Sequence, residues 1–398
     1  MLRVPLAQAK PGMKLAVEIR HPKTGQRLLG EGFELDEHLI EKLDELEIHE
    51  VWIDYPNTDQ IRKYVSPEVA RAHGRMVSMI TGLFTMVHRE AHANVEFPQY
   101  RRTLRELIET LVGNPLSSTY ILEAGGGASN ELRHAAEVCF LSMLLGLKLQ
   151  GYLIMQRRRL SPTQARNVVS LGIGAMVHDI GMGEVGEETR ERYERFRDER
   201  DEEWRRHVTL GHRKASGLIP PAASGVVLHH HQHYDGSGFP EMIDADGRQR
   251  GLIGDEIHVF ARIACVANHF DRLRRPAEGR VEPRVRVLRH MLMSELTRRF
   301  DPVVLAAVPL VVPAYPPGSM VTLNTGQRAM VYDWHPECPC QPTVQLIDDR
   351  RRRGVAEPVR YDLRDRNDLL IVEAEGSDIS QDNFRLKTTL QELHPEAV

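Results

Sequence analysis

The stretch "GIGAMVHDIGMG" (172–183) is apolar and small except at two positions, His178 and Asp179. Flanking Met176, Val177 and Ile180 argue for an interior setting, where an ionised carboxylate is costly unless it is paired or bound to metal. The same pattern recurs outward along the chain. His134 begins the amphipathic run "HAAEVCFLSMLLGL", and His207 precedes "VTLGHRKASGLI". His230 and His231 follow the apolar "SGVVL", and Asn268 sits inside "ARIACVANHF". A single core histidine reads as a hydrogen-bonded structural residue. Five of them with one carboxylate, in one helical block, can satisfy each other around divalent cations. Imidazole with carboxylate suits Fe, Mn, Zn or Ni rather than Ca. His229 and His233 are expected to lie at the surface or behind the ligands.

The chain has 398 residues, 41% hydrophobic and 27% charged, the balance of a globular protein of two or three domains. Asp and Glu (56) outnumber Lys and Arg (52), so no global charge argues for DNA or for an anionic membrane. The four cysteines, at 139, 265, 338 and 340, make no disulfide framework, and a reducing cytoplasm is the expectation. The C-x-C of "HPECPCQP" reads as a proline-fixed turn rather than a zinc site with His335. The start "MLRVPLAQAKPG" has no apolar signal core. The longest apolar runs are broken by Lys148 and Gln150 or by prolines, so no membrane span is expected.

Periodicity predicts a multidomain, mainly α protein. Residues 1–62 alternate strand-like runs with a helix over "DEHLIEKLDELEI", an α+β module. Residues 66–125 form a helical connector opened by Ser66-Pro67. Residues 128–300 form the central all-α bundle. There "SPTQARNVVSLGIGAMVHDIGMG" reads as one helix ending in glycines. The charge-dense run 187–219 reads as a solvated helix without a functional role. Residues 316–376 are a small β-rich domain, and 377–398 a polar, loosely structured tail. The Gly125–Gly127 run is no P-loop, and Arg350–Arg353 reads as a solvated hairpin loop.

The ordered motifs "HDIGM" (178–182), "HVTLG" (207–211), "HHQHYDGSGFP" (230–240) and "GLIGDEIHVFARIACVANHFDRL" (251–273) resemble those of the HD-GYP family. That is the branch of the HD phosphohydrolase superfamily that hydrolyses bacterial cyclic di-GMP. The resemblance covers about 128–300, and the tail beginning "PPGSMVTLNTGQRAMV" resembles extensions that follow such domains. It implies an HD-type bundle and hydrolysis of cyclic di-GMP to pGpG or GMP by two divalent ions (Fe, Mn, Ni or Zn). One ion would use His134, His178, Asp179 and Asn268. The other would share Asp179 with His207, His230 and His231. A carboxylate bridges because it has two oxygens, whereas a neutral imidazole has one free lone pair. Two such ions activate water and clamp phosphoryl oxygens, with Asp179 and His178 at the catalytic centre.

The resemblance further implies that Arg262, Asp235, Gly236 and Gly238 contact substrate. The Gly238-Phe239-Pro240 loop would lie at the pocket mouth and meet a signalling partner, and a homodimer is expected. The sequence departs from the pattern at Met182 (Lys in the family), Asn268 (Asp), Gln232 (Glu) and Phe239 (Tyr). Asn130 stands where third-metal members carry Glu. Arg262 is expected to compensate in part for Met182. Two alternatives stand beside the enzyme: a degenerate domain that binds nucleotide or protein without hydrolysis, and another HD-superfamily phosphohydrolase or di-iron oxygenase.

Overall fold

The computed structural model describes residues 1–21, 26–89, 97–119, 130–243, 246–277, 280–347 and 358–394. Gly125–Gly127 and Arg350–Arg353 lie outside the described residues.

The N-terminal module pairs β1 (Leu2–Pro5) antiparallel with β2 (Glu50–Ile53). Between them lies α1 (Glu37–Glu45), whose Asp36 N-cap accepts the Leu39 N–H at 2.8 Å. The bundle follows: α2 (Pro67–Arg89), α3 (Phe97–Gly113), α4 (Asn130–Lys148), α5 (Gln150–Gln156), α6 (Val169–Met176), α7 (Glu187–Phe196), α8 (His207–Ala215), α9 (Pro221–His229), α10 (Val259–Arg274) and α11 (Arg284–Met293). α4 runs through the centre, buried on almost every face from His134 to Gly146, against α6 and α10. Among the described residues no single helix is long and apolar enough to cross a membrane, and α4 and α5 are bent from each other by 84°.

Two expected helices are broken, and both breaks serve the site. The run from Ser161 gives a short turn at Pro162–Ala165 and restarts at Val169, where the Asn167 carboxamide accepts the Val169 N–H at 2.9 Å. A side chain that competes for backbone N–H groups ends one helix and caps the next. The helix then stops at Met176, leaving His178 and Asp179 on a tight turn before a 3-10 turn at Ile180–Glu184. The charge-dense run is likewise divided: Arg197 is left-handed (φ 50°), and Asp201 accepts the N–H groups of Glu203 and Trp204. That capping sets up the turn that leads into His207.

The C-terminal sheet is antiparallel, built from β3 (Met320–Leu323), β4 (Arg328–Asp333), β5 (Thr343–Leu346), β6 (Arg360–Asp362), β7 (Ile371–Ala374) and β8 (Ser377–Asp378), in the order β6-β5-β4-β3-β7-β8. Strand periodicity explains why β4 is apolar on both faces. Ala329 and Val331 join the bundle core, while Met330 and Tyr332 join the N-terminal module core. The sheet is therefore a layer between the two. Residues 67–89 and 97–113 share the bundle core through Met76, Ile80 and Leu104, so these parts of the expected connector are packed as part of the bundle. The tail is docked rather than loose: Ile379 and Leu390 are buried, and Asp382 accepts from Arg286 at 2.9 Å.

Candidate metal centre

Backbone hydrogen bonds fix the tautomers of the central histidines. His178 Nδ1 donates to the Ala175 carbonyl (2.8 Å), His207 Nδ1 to Trp204 (2.7 Å) and His230 Nδ1 to Val227 (3.0 Å). His134 Nδ1 donates to Asp271 Oδ2 at 2.6 Å. Each proton sits on Nδ1, so each Nε2 carries a bare lone pair. Those lone pairs converge on Asp179. Its Oδ1 lies 3.4 Å from His207 Nε2 and 3.3 Å from His230 Nε2. Its Oδ2 lies 3.3 Å from His178 Nε2 and 3.6 Å from His134 Nε2. The Nε2 atoms of His178 and His134 face each other at 3.2 Å, and those of His207 and His230 at 3.4 Å. Neither nitrogen of the buried His231 has a hydrogen-bond partner, and its ring stacks on Phe239 (centroids 4.5 Å apart).

Lone pairs aimed at lone pairs in a buried space repel unless a cation lies among them. The set Asp179, His207, His230 and His231 offers one ligand atom each within 4.8 Å of one another, as does His134, His178 and Asp179. These donors fit divalent transition ions, and the carbonyl and carboxylate contacts behind them hold the rings as ligands require. His178 is placed as a ring of this cage rather than as a free proton carrier.

Close backbone packing brings the parts together. A Cβ on Gly181 would meet the His207 carbonyl oxygen, and would lie 2.5 Å from Gly211 N. Only glycine lets the turn after Asp179 touch the first turn of α8, which is the physical content of the His-Asp-x-Gly and His-x-x-x-Gly spacings.

Burial pushes His207 down to about 3, against the opposing pull of Asp179. Burial, then the Arg272 charge, push His134 down to about 4, and burial alone does the same to His73. For Asp179 burial opposes ionisation, but His178, His230 and Arg272 hold its carboxyl well below the usual range. The histidines thus stay neutral in the fold while the unfolded chain protonates below about pH 6.5. Between about 6.5 and the folded values the unfolded state binds more protons, so stability is lost as pH is lowered across that window and levels off beneath it. The midpoint of metal-free protein is expected to drop by on the order of 5 °C or more between pH 7 and pH 4.5. Calorimetry in chelator checks this, and a flat profile would show that these rings titrate normally.

Several expected site residues are placed elsewhere. Arg262 is 3% exposed, and its guanidinium is spent on Asp301 (2.6 Å), Asp255 (2.9 Å), Tyr152 (3.0 Å) and Gln156 (2.7 Å). It does not line the cavity beside the centre, so it cannot stand in for a lysine at 182. Asp235 accepts from Ser237 in its own turn (2.7 Å). Gly236 is left-handed (φ 82°) beneath Ile253, and a Cβ on Gly238 would strike the backbone of His231 and His233, so both glycines shape the loop. Gly238 and Phe239 are buried, with Phe239 edge-on to Trp204 at 5.7 Å, so the Gly238-Phe239-Pro240 loop turns inward. Phe239 therefore offers no surface to a partner, while Pro240 is half-buried. Gln232 clamps this loop, donating to the Pro240 carbonyl (2.6 Å) and accepting from Leu252 N–H (2.8 Å), a pairing of donor and acceptor that a carboxylate cannot make. Cys338 and Cys340 join no metal-ligating group among the described residues.

Arg272 is the residue the sequence reading missed. Its NH2 donates to Asp179 Oδ2 at 2.9 Å, and its Nε donates to Asn268 Oδ1 at 3.0 Å. The Asn268 oxygen is thus turned to a guanidinium, and its Nδ2 is buried without a partner. The four-residue spacing on α10, one helical turn, is the signal that pairs the two. Beside the centre lies a cavity of about 440 Å³ walled by His134, Asp179, Met182, Arg197, Lys214 and Arg272, among others. Lys214, 3.6 Å from Glu184, supplies a cation on the wall that Met182 leaves neutral.

A helical bundle with a caged aspartate and converging imidazoles defines the HD class of metal-binding domain. A family model described as an HD domain matches residues 148–304, and one described as a KOW domain associated with HD domain matches 320–379. The chain is 27% identical over 190 residues to the cyclic di-GMP phosphodiesterase PA4108 of Pseudomonas aeruginosa, covering 46% of this chain and 42% of that protein. It is 29% identical over 104 residues to the cyclic di-GMP phosphodiesterase response regulator RpfG of Xanthomonas campestris pv. campestris, a quarter (25%) of each. The matches span less than half the length of either relative. The HD-domain match and these two relatives support an HD-GYP assignment for the matched region.

Proposed function

We propose that this protein is a cytoplasmic, metal-dependent phosphodiesterase that hydrolyses cyclic di-GMP to pGpG or GMP. The observation that carries the reading is the convergence of tautomer-fixed Nε2 atoms on Asp179 beside a cavity with cationic walls. The His207, His230, His231 and Asp179 half offers four donors and would hold the first ion. His134 and His178, with the other Asp179 oxygen, would hold the second. Such ions, when bound, supply Lewis acidity at a phosphoryl oxygen and lower the pKa of water.

The chain's own residues do the rest. Asp179 keeps its charge at neutral pH and orients the opposed imidazole pairs. Lys214 and Arg197 set a phosphodiester against the centre, and Asp271 holds His134 in its tautomer.

One observation favours a second reading, nucleotide binding without hydrolysis. Arg272 occupies an Asp179 oxygen that the second ion needs, and places its positive charge there. The test is release of pGpG or GMP by the chain loaded with Mn or Fe, run beside Arg272→Ala. We expect turnover in the wild type, and in the variant a rise of metal content by up to one equivalent per chain with activity up about tenfold. Asn268→Asp alone hands a carboxylate to Arg272 and is expected to change little. The pair Asn268→Asp/Arg272→Ala fills the second position. Tight binding of cyclic di-GMP with no cleavage by any of these loaded proteins establishes the second reading instead.

A further inference from the structure

A second group of imidazoles lies outside the Asp179 cage. His233 and His269 are 4% and 7% exposed, and the Nε2 of each is buried without a hydrogen-bond partner. Both tautomers are set from behind. Ser237 Oγ donates its proton to Asp235 Oδ1 (2.7 Å), so towards His233 Nδ1, 2.9 Å away, it can only accept. His269 Nδ1 donates to the Cys265 carbonyl one helical turn back at 2.9 Å. Each ring therefore presents a bare Nε2 lone pair, and the rings stand edge to face with centroids 5.4 Å apart. Glu199 completes the group: its carboxylate oxygen and the two ring nitrogens all lie within 4.8 Å of one another.

We infer that Glu199, His233 and His269 bind one divalent transition-metal ion at a position separate from the Asp179 centre. Two neutral imidazoles and one carboxylate are the donors of Zn, Fe(II), Mn or Ni sites, and a poor set for Ca or Mg. Orphaned buried ring nitrogens are costly, and an ion removes that cost at both rings together. Bonds of about 2.1 Å require the donors to draw together by on the order of 1 Å, which the turn carrying Glu199 permits. Arg205 does not compete for the carboxylate. Its Nε donates to the Glu199 carbonyl at 2.7 Å, and its guanidinium lies 4.8 Å over the Phe239 ring. Of the two positions expected for His233, its burial excludes the surface.

The ion would tie three segments: the turn before Asp201, the His230–Pro240 loop, and α10. The first of these leads through Asp201 into His207, and the others carry His230 with His231, and Arg272, so the site is a staple behind the main centre. It stands independently of the phosphodiesterase reading.

The experiment uses full-length protein saturated with Zn(II), with bound zinc measured by mass spectrometry after removal of excess ion. Glu199→Ala, a change at a half-buried turn position outside the helices, is expected to lose about one equivalent of zinc relative to wild type. His233→Asn is expected to lose the same equivalent. Crystals of the zinc-loaded wild type are expected to show an anomalous peak about 2.1 Å from both Nε2 atoms. Equal zinc content in wild type and both variants, or anomalous density confined to the Asp179 centre, overturns the assignment.

Discussion

Asp179→Asn is expected to strip the centre of metal and to lower turnover of cyclic di-GMP by roughly a thousandfold. The substitution keeps the shape of the side chain and removes its charge. Asp179 is the one carboxylate that meets the Nε2 atoms of His134, His178, His207 and His230. An amide has one acceptor oxygen instead of two, and its NH2 would donate to an Nε2 lone pair that a cation otherwise takes. The variant should therefore fold, with its cage closed by a hydrogen bond in place of an ion. Metal at a hundred times its Kd stabilises a folded protein by about 2.7 kcal/mol. That increment should appear as a rise in melting temperature for wild type and vanish for the variant. Retention of both the metal-dependent shift and the activity would place the ligands elsewhere.

The cage was legible because its members interrupt apolar runs. His178 and Asp179 inside "GIGAMVHDIGMG", or His230 and His231 after "SGVVL", are costly in a core and so advertise a partner. Charged residues near helix ends carry no such signal. Arg197 and Lys214 read as part of a solvated run, and Arg272 gave no such signal, yet all three line the cavity: Arg197 from the left-handed turn after α7, Lys214 from α8 and Arg272 from α10. The partition of the charge-dense run depended on Asp201 and Arg197, a cap and a left-handed residue whose effects are local and small against the helical propensity around them. The docked tail was missed for a different reason. Ile379, Phe384 and Leu390 are isolated among polar residues, and only the tertiary fold shows that each finds the core. Arg262 was misplaced because a motif position says which helix carries a residue. Its direction was decided by Asp301, whose carboxylate both caps a helix and receives the guanidinium.

Gly181→Ala tests the packing on which the centre depends. The added methyl group would press on the His207 carbonyl oxygen and lie 2.5 Å from Gly211 N and 2.9 Å from Gly211 Cα. These are backbone atoms, held by the first turn of α8, and cannot rotate aside as a side chain would. The turn and the helix must separate, at a cost of about 1–3 kcal/mol. That separation carries His207 away from Asp179 Oδ1, now 3.4 Å distant, while His134 stays on α4 and His178 on the turn after α6. Misplacement by about 1 Å can cost roughly a hundredfold in rate, and loss of one ligand weakens the His207–His230–His231 half first. The expected result is a lowered melting temperature, metal content reduced by about one equivalent, and activity down at least about a hundredfold. Gly183→Ala, two residues on, is the control: a Cβ there meets nothing within 4 Å, so stability and metal content should hold. If both variants behave alike, the close approach of the two turns is not what sets His207 against Asp179. A selective loss in Gly181→Ala ties the glycine of each motif to the metal that its histidine binds.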